Sequence, residues 1–303
     1  MVEKKIKVLY IAGAGRSGTT LLDQYLGSSE GYFSVGEIKY LIPAGYGRDQ
    51  RCSCGEKLKL CSVWGGLAEK LDGRVDFNKF ATLFNRVMKR RQLIWQAFPI
   101  ARGREYQNYL NDYKEMLSEI YLTLSEMIGD ESIIVDSSKD PGYLSILAEI
   151  PNIEIYVLHC IRDPRGVAYS RKVAKLKTSL DYEEYMPTQS LIKALTLWVG
   201  VNVASSLVCS IKKIKNAKVN YERYASSERY IQESISSLGL PEPRLVENKV
   251  IHTCLGNPSK SAAFDADSLR GVDKRWASEA SKLKMFLVKT ILFPFYIFYG
   301  IRS

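Results

Sequence analysis

The chain has 303 residues, enough to bury a sizeable core, and its length alone permits one large domain or two. Apolar and charged shares of 46% and 25% argue for a soluble globular protein, and six cysteines in a chain this long exclude a disulfide scaffold. Forty-three Lys and Arg against 33 Asp and Glu leave a formal charge of +10, which favours anionic ligands such as nucleotides, acidic glycans or anionic lipid. No nucleic-acid motif accompanies that charge, so nucleic acid is not an expected partner.

Met1-Val2-Glu3-Lys4-Lys5 runs straight into an apolar stretch, so no secretory signal is expected and a reducing cytoplasm is the expected location. The first predicted strand covers residues 7–12. It empties into Gly13-Ala14-Gly15-Arg16-Ser17-Gly18, and a helix over 19–26 begins at Thr19-Thr20-Leu21-Leu22. Consecutive N–H groups in such a turn point at one spot, and the helix N-terminus adds partial positive charge, so the stretch reads as an anion cradle. The spacing Gly13-x4-Gly18 is that of a nucleotide P-loop, but Thr19 stands where that motif has its lysine, and the nearby cation is Arg16. A cradle without the lysine for β- and γ-phosphates points to a different phosphoanhydride.

Further strands are predicted at 132–136, 155–161 and 217–221, each followed by a helix, at 142–149, 164–175 and 228–238. This alternation of near-continuous apolar strands with helices argues an α/β fold: a central parallel sheet covered by helices on both faces. Ligands in such sheets sit beyond the carboxyl ends of the strands, and the motifs of this chain fall at or near those points. The chain reads as a single domain over 1–303. Residues 45–130 stand out as a cysteine-containing helical insertion, and 285–301 as an apolar closing helix. That tail is 17 residues broken by Lys289 and Pro294, short for a membrane span of about 20 residues; contact with a membrane surface is the alternative.

Arg162 ends the strand at 155–161 and Ser170 lies eight residues on, within the next helix. The two can converge on one phosphate, arginine as a fork and serine as a neutral donor; the competing reading pairs Arg162 with Asp163. Together, Gly15-Arg16-Ser17-Gly18-Thr19-Thr20-Leu21-Leu22 and Ile161-Arg162-Asp163-Pro164-Arg165-Gly166-Val167-Ala168-Tyr169-Ser170 resemble the sulfotransferases that use 3′-phosphoadenylyl sulfate (PAPS), in particular bacterial members with similarity to the tyrosylprotein and glycan branch. The resemblance implies that residues 15–20 bind the 5′-phosphosulfate, and that Arg162 and Ser170 bind the 3′-phosphate. It extends to Val219-Asn220-Tyr221-Glu222, which places Tyr221 beside the adenine. It also extends to the late segment 251–260, where Asn257 and Lys260 join the cofactor set and Lys260 replaces an arginine. PAPS as donor, its product PAP, and a hydroxyl acceptor follow, the acceptor a glycan or glycolipid and acidic if the basic clusters hold it.

Sulfuryl transfer of this kind needs no metal, and none is expected. It needs cations for charge growing on the leaving phosphate and a base for the acceptor hydroxyl. Arg16 suits the first task. Lys139, in a segment similar to the Asn-Lys-Asp-Pro of the tyrosylprotein branch, is the second cation, against a plain surface lysine. Glu37, in Gly36-Glu37, is the expected base, a partly desolvated carboxylate being suited to accept a proton; the bland alternative is an ion pair with Arg16 or Lys39. His159, inside an apolar strand, reads as a core residue, and His252 as a candidate cofactor contact.

Cys52, Cys54 and Cys61 leave three readings open: plain loop, a disulfide, or a metal knuckle lacking a clear fourth ligand. Two basic clusters are candidate acceptor sites: Arg86, Lys89, Arg90, Arg91, Arg102 and Arg104, and then Arg171, Lys172, Lys175 and Lys177. Residues 178–190 read as a lid. A P-loop kinase or a non-catalytic PAP-binding adaptor are the alternatives of other classes.

Overall fold

The computed structural model describes residues 5–88, 103–173, 175–176, 184–255, 263–264 and 271–301. Five strands form one wholly parallel sheet: β1 (Ile6–Ala12), β2 (Tyr32–Gly36), β3 (Ile133–Lys139), β4 (Ile153–Ile161) and β5 (Lys215–Asn220), in spatial order β2-β3-β1-β4-β5. Between them run α1 (Thr19–Gly27), α2 (Ser62–Leu71), α3 (Phe77–Val87), α4 (Arg104–Ile128), α5 (Pro141–Leu147), α6 (Pro164–Lys172) and α7 (Leu191–Ile211). After the sheet come α8 (Tyr221–Tyr224), α9 (Glu228–Ser236), α10 (Arg275–Glu279), α11 (Lys282–Ile291) and α12 (Phe293–Tyr299). This is the expected α/β architecture.

The strands are apolar on both faces because both faces are covered. In β1, Val8, Tyr10 and Ala12 join one core, and Leu9 and Ile11 the other. β4 divides likewise, with Ile155 and Val157 on the first side and Tyr156, Leu158 and Cys160 on the second. The segment 45–130 is anchored to the first of these cores. Trp64, Leu67, Phe80, Tyr113, Tyr121 and Leu124 from α2, α3 and α4 are buried in the same cluster as Val8 and Ile134.

Three elements depart from the sequence reading. β2 was not anticipated; it is a five-residue edge strand whose strand partner in the sheet is β3. The helix after β4 stops at Lys172, and Lys175–Leu176 pairs antiparallel with Tyr185–Met186 instead. The tail expected as one closing helix is two, α11 and α12, separated at Leu292 because Pro294 has no N–H to continue the first ladder. Val288, Leu292, Tyr296 and Tyr299 are buried with Trp198, whereas Leu283, Phe286, Ile291, Phe293 and Ile297 are exposed.

Among the described residues, α7 is the one helix long and apolar enough to cross a membrane. Here it lies against α5, α6 and β4, with Trp198, Asn202 and Ser205 buried.

Gly13, just past β1, has φ of +126°, and a Cβ there would lie 2.2 Å from the Cys160 carbonyl oxygen. Gly31 has φ of +72° but nothing within 4 Å. Gly13→Ala should therefore cost ~1–3 kcal/mol more in urea denaturation than Gly31→Ala, because backbone collision adds to conformational strain. Equal midpoints for the two variants would contradict this packing of the loop on β4.

Candidate functional site

All five strands end at one edge of the sheet, and a cleft of about 460 Å³ opens there. From β1 the chain departs toward β2 on one side; from β3 it crosses to β4 on the other. Such a reversal leaves a crevice beyond the carboxyl ends of the strands.

The loop 13–18 forms the cleft's floor. Gly18, the residue before α1, has φ of +80°, and a Cβ there would lie 2.3 Å from the Tyr221 ring and 2.5 Å from the Tyr224 hydroxyl. Three loop carbonyls are held by side chains: Gly15 accepts from Arg171 Nη2 at 3.2 Å, Arg16 from Arg162 Nη1 at 3.0 Å, and Ser17 from the Tyr224 hydroxyl at 2.8 Å. Trans peptides set the N–H groups of Arg16 and Gly18 opposite the bound carbonyls of Gly15 and Ser17. The N–H groups of Thr19 and Thr20, both residues lining the cleft, lie in the unsatisfied first turn of α1.

Arg16 has φ of +77°. Its Nη2 donates to Met186 Sδ at 3.1 Å, but among the described residues Nη1 is buried without a partner, as are Ser17 Oγ and Arg171 Nε. Burial lowers the pKa of both guanidinium groups, and for Arg171 the neighbouring Arg16 charge adds to it. Buried polar groups ordinarily have partners. Two cations and a hydroxyl left with open valences around one glycine loop fit an anion with several oxygens. Arg171 was expected in an acceptor cluster; the structure gives it to the loop instead.

The opposite wall comes from β2 and β3. Glu37 follows β2, its N–H donating to the Cys254 carbonyl at 3.2 Å. Lys139 ends β3 with φ of +64°, and its Nζ donates to Glu37 Oε1 at 2.6 Å. The two expected catalytic side chains are therefore paired with each other, neither with Arg16 nor with Lys39. Lys39 is 4% exposed and bonds Asp140 Oδ2 at 2.8 Å. Burial opposes its charge, but Asp140 more than offsets this and its pKa ends above the usual value. Asp140 Oδ1 caps α5 by accepting from Gly142 and Tyr143. That pair, missed in the sequence, was signalled by Asp140-Pro141 at a helix start.

Arg162 leaves β4 beneath the loop. Its guanidinium lies 4.4 Å over the Tyr221 ring, and Nη2 donates to the Asp273 carbonyl at 2.9 Å with the Asp273 carboxylate at 3.5 Å. The alternative pairing with Asp163 is not made: Asp163 binds Arg165 and the Tyr296 hydroxyl, and caps α6. Ser170 is buried on α6. The structure thus brings together Gly15, Arg16, Ser17, Gly18, Thr19 and Thr20 with Glu37 and Lys139 at the cleft, and Arg162 with Tyr221 behind the loop. Asn257 and Lys260 lie outside the described residues.

Neither histidine lines the cleft. His159 is buried against Asn202 Oδ1, 3.1 Å away, and the Tyr299 ring. His252, read from sequence as a cofactor contact, faces Cys61 Sγ at 3.3 Å and Cys52 Sγ at 3.9 Å. It supplies the fourth donor that the cysteine motif lacked in sequence. The disulfide reading fails, since Cys54 and Cys61 sulfurs stand 3.8 Å apart, well beyond bonding distance.

Of the basic clusters, Arg86 stacks on Tyr109 and Arg104 opens α4. Lys89, Arg90, Arg91, Arg102 and Lys177 lie outside the described residues, as does 178–183 of the expected lid. Met186, Pro187 and Gln189 from its remainder line the cleft.

The family model described as "Sulfotransferase family" matches residues 9–241. Solved structures similar to the chain include a sulfotransferase domain from the curacin biosynthetic pathway, at 16% identity and TM-score 0.47 over 95% of this chain and 98% of that one. A sulfotransferase from Alicyclobacillus acidocaldarius is 13% identical with TM-score 0.39, covering 94% and 95% of the two chains. One from Mycobacterium tuberculosis H37Rv is 10% identical with TM-score 0.43, covering 95% and 76%. No curated protein matches the chain.

Burial holds His159 down to about 4, below its ordinary 6.5. Between those values the unfolded chain takes up a proton that the folded chain refuses, so this histidine's contribution is full above pH ~6.5 and lost as pH falls toward ~4. The stability difference between wild type and His159→Gln, measured by urea denaturation, should shrink steadily across that window. A pH-independent difference would mean that the ring is not held neutral in the core.

Proposed function

The chain belongs to the sulfotransferase family, and we propose that it moves a sulfuryl group from PAPS to a hydroxyl of a carbohydrate acceptor, with Glu37 as base. The carrying observation is the glycine loop with its unpartnered Arg16 Nη1, Ser17 Oγ and Arg171 Nε. On this reading Gly15 to Thr20 hold the 5′-phosphosulfate, Arg162 and Ser170 the 3′-phosphate, and Tyr221 the adenine. Asn257 and Lys260 complete the cofactor set. The Asp273 carboxylate now beside Arg162 is the anion that a 3′-phosphate displaces.

The donor supplies the sulfuryl group and a phosphate as leaving group. Glu37 accepts the hydroxyl proton as the acceptor oxygen bonds to sulfur and the bond from sulfur to the bridging oxygen breaks. The electron pair stays on the phosphate, where Arg16 and Lys139 stabilise it. The 2.6 Å pair between Lys139 and Glu37 couples the two events. Protonating Glu37 discharges the pair and frees Lys139 for the leaving oxygen.

A carbohydrate acceptor is supported by the similarity of Gly36-Glu37 to the glycan branch and by Tyr40, Pro141 and Pro187, whose apolar surfaces line the cleft beside Lys39. An acidic acceptor suits the charge of the site. The same reading places the enzyme in the cytoplasm, with the exposed Leu283, Phe286, Ile291, Phe293 and Ile297, together with Lys284 and Lys289, turned to an anionic membrane surface.

Adenosine 3′,5′-bisphosphate should raise the melting temperature well beyond ATP or GTP at equal concentration. Arg162→Ala should remove most of that preference, since a charge-assisted contact contributes ~1.5–3 kcal/mol. Equal shifts for all three nucleotides would favour a kinase, and bisphosphate binding without sulfation of any hydroxyl acceptor an adaptor.

Glu37→Gln should leave bisphosphate affinity unchanged and lower single-turnover sulfation by ~10²–10⁴, the range for a general base. Near-normal turnover in this variant would move the base elsewhere.

A further inference from the structure

We infer that Cys52, Cys54, Cys61 and His252 form a closed, tetrahedral zinc site that fastens the loop before α2 to the chain segment beside Glu37. Sulfuryl transfer does not use this cluster, and nothing in the site above requires it. Its four donor atoms all lie within 4.8 Å of one another, although His252 is 191 residues beyond Cys61.

The distances are those of a metal polyhedron. In a tetrahedron the edge is about 1.6 times the bond length, so Zn–S of ~2.3 Å and Zn–N of ~2.0–2.1 Å give S–S edges of ~3.8 Å and S–N edges of ~3.6 Å. The structure has 3.8 Å between Cys54 and Cys61 sulfurs, and 3.3 and 3.9 Å from His252 Nδ1 to Cys61 and Cys52. Three sulfurs and one imidazole in this arrangement select zinc over the oxygen-seeking magnesium or calcium.

Backbone amides face the three sulfurs. Cys52 sulfur accepts the N–H of Cys54, Cys54 sulfur that of Glu56, and Cys61 sulfur those of Val63 and Trp64 at the start of α2. A second layer fixes the histidine's strand. Trp64 Nε1 donates to the His252 carbonyl at 2.9 Å, the Ser53 N–H to the Thr253 carbonyl at 3.1 Å, and the Thr253 N–H to Ser53 Oγ at 2.8 Å. Such supporting bonds orient metal ligands. Cys52 and Cys61 are buried, and four protein donors leave no open position, so the site is structural.

Its reach is short. Two residues after His252, the Cys254 carbonyl accepts the Glu37 N–H, and the Cys254 N–H donates to Val35. Zinc thereby holds the backbone from which Glu37 projects. This last link rests on the proposed role of Glu37; the metal site does not.

The test uses the full chain, purified reduced and without a histidine tag. Elemental analysis should find one equivalent of zinc per chain. Cobalt exchanged into the protein should show the visible bands of a tetrahedral thiolate site. His252→Ala should weaken zinc by more than the ~10–100-fold typical of losing a supporting partner, His252→Cys should retain the metal, and Cys209→Ser, remote from the cluster, should not change it. A metal-free wild-type protein with native circular dichroism and six titratable thiols would overturn the proposal, and so would a disulfide among these cysteines. Bisphosphate-induced melting shifts on the same samples separate the outcomes. Zinc without a nucleotide response leaves this site standing and the donor assignment fallen, and the reverse result does the opposite.

Discussion

The structure is organised around a charge imbalance it does not itself resolve. Arg16 and Arg171 are half-buried beside one glycine loop, each with a nitrogen that meets no acceptor among the described residues. Desolvating a guanidinium is expensive unless an anion repays it. The surrounding framework nonetheless holds both in place. Arg171 and Arg162 are tied to loop carbonyls, Tyr224 to a third, and Asn202 Oδ1 accepts the N–H of Ala14. The loop is thus braced from four sides, with its guanidinium groups held beside it.

The five strands make this bracing feasible. Each delivers a residue of the site at its carboxyl end: the loop from β1, Glu37 from β2, Lys139 from β3, Arg162 from β4 and Tyr221 just past β5. Strand ends in a close-packed parallel sheet are held by ladders on both sides, so the spacing between cations is inherited from the 4.7–4.9 Å strand separation. The edge strands β2 and β5 are the exceptions, each with one strand neighbour in the sheet, and the segment through Cys254 supplies a second to β2 at its end.

Sequence pattern revealed the sheet wherever a strand is apolar throughout, as in Val8-Leu9-Tyr10-Ile11, because burial on both faces leaves that signature. It missed β2, whose five residues include Ser34 and end in Gly36. There Ser34 is satisfied by bonding Asp23, a contact no local pattern records. The loop was legible because a glycine-rich turn between strand and helix constrains contiguous residues, and Arg162 because it directly follows an apolar strand. Pairings between distant segments were not: Glu37 with Lys139, Arg162 with Asp273, and above all Cys61 with His252. Each joins two strand ends or loops whose adjacency is decided by topology. The proline at 294 was visible, but its effect of splitting the tail into two helices depended on the packing of Leu292 and Tyr296 around Trp198.

Arg16 and Lys139 share an oddity: both are large residues in backbone conformations that glycine adopts without strain. Each such residue carries a penalty of ~1–3 kcal/mol. A laboratory lineage selected only for heat resistance would shed the Arg16 side chain early, since glycine there relieves the backbone and removes an unmatched charge, whereas Lys139 is retained by its pair with Glu37. Its descendants would keep the sheet, the loop and the cleft, and would have lost a cation that lines it. Hardiness and the positive charge of the cleft are thus opposed at one identifiable position, and consensus-style stabilisation of this chain would have to leave it alone to keep that charge.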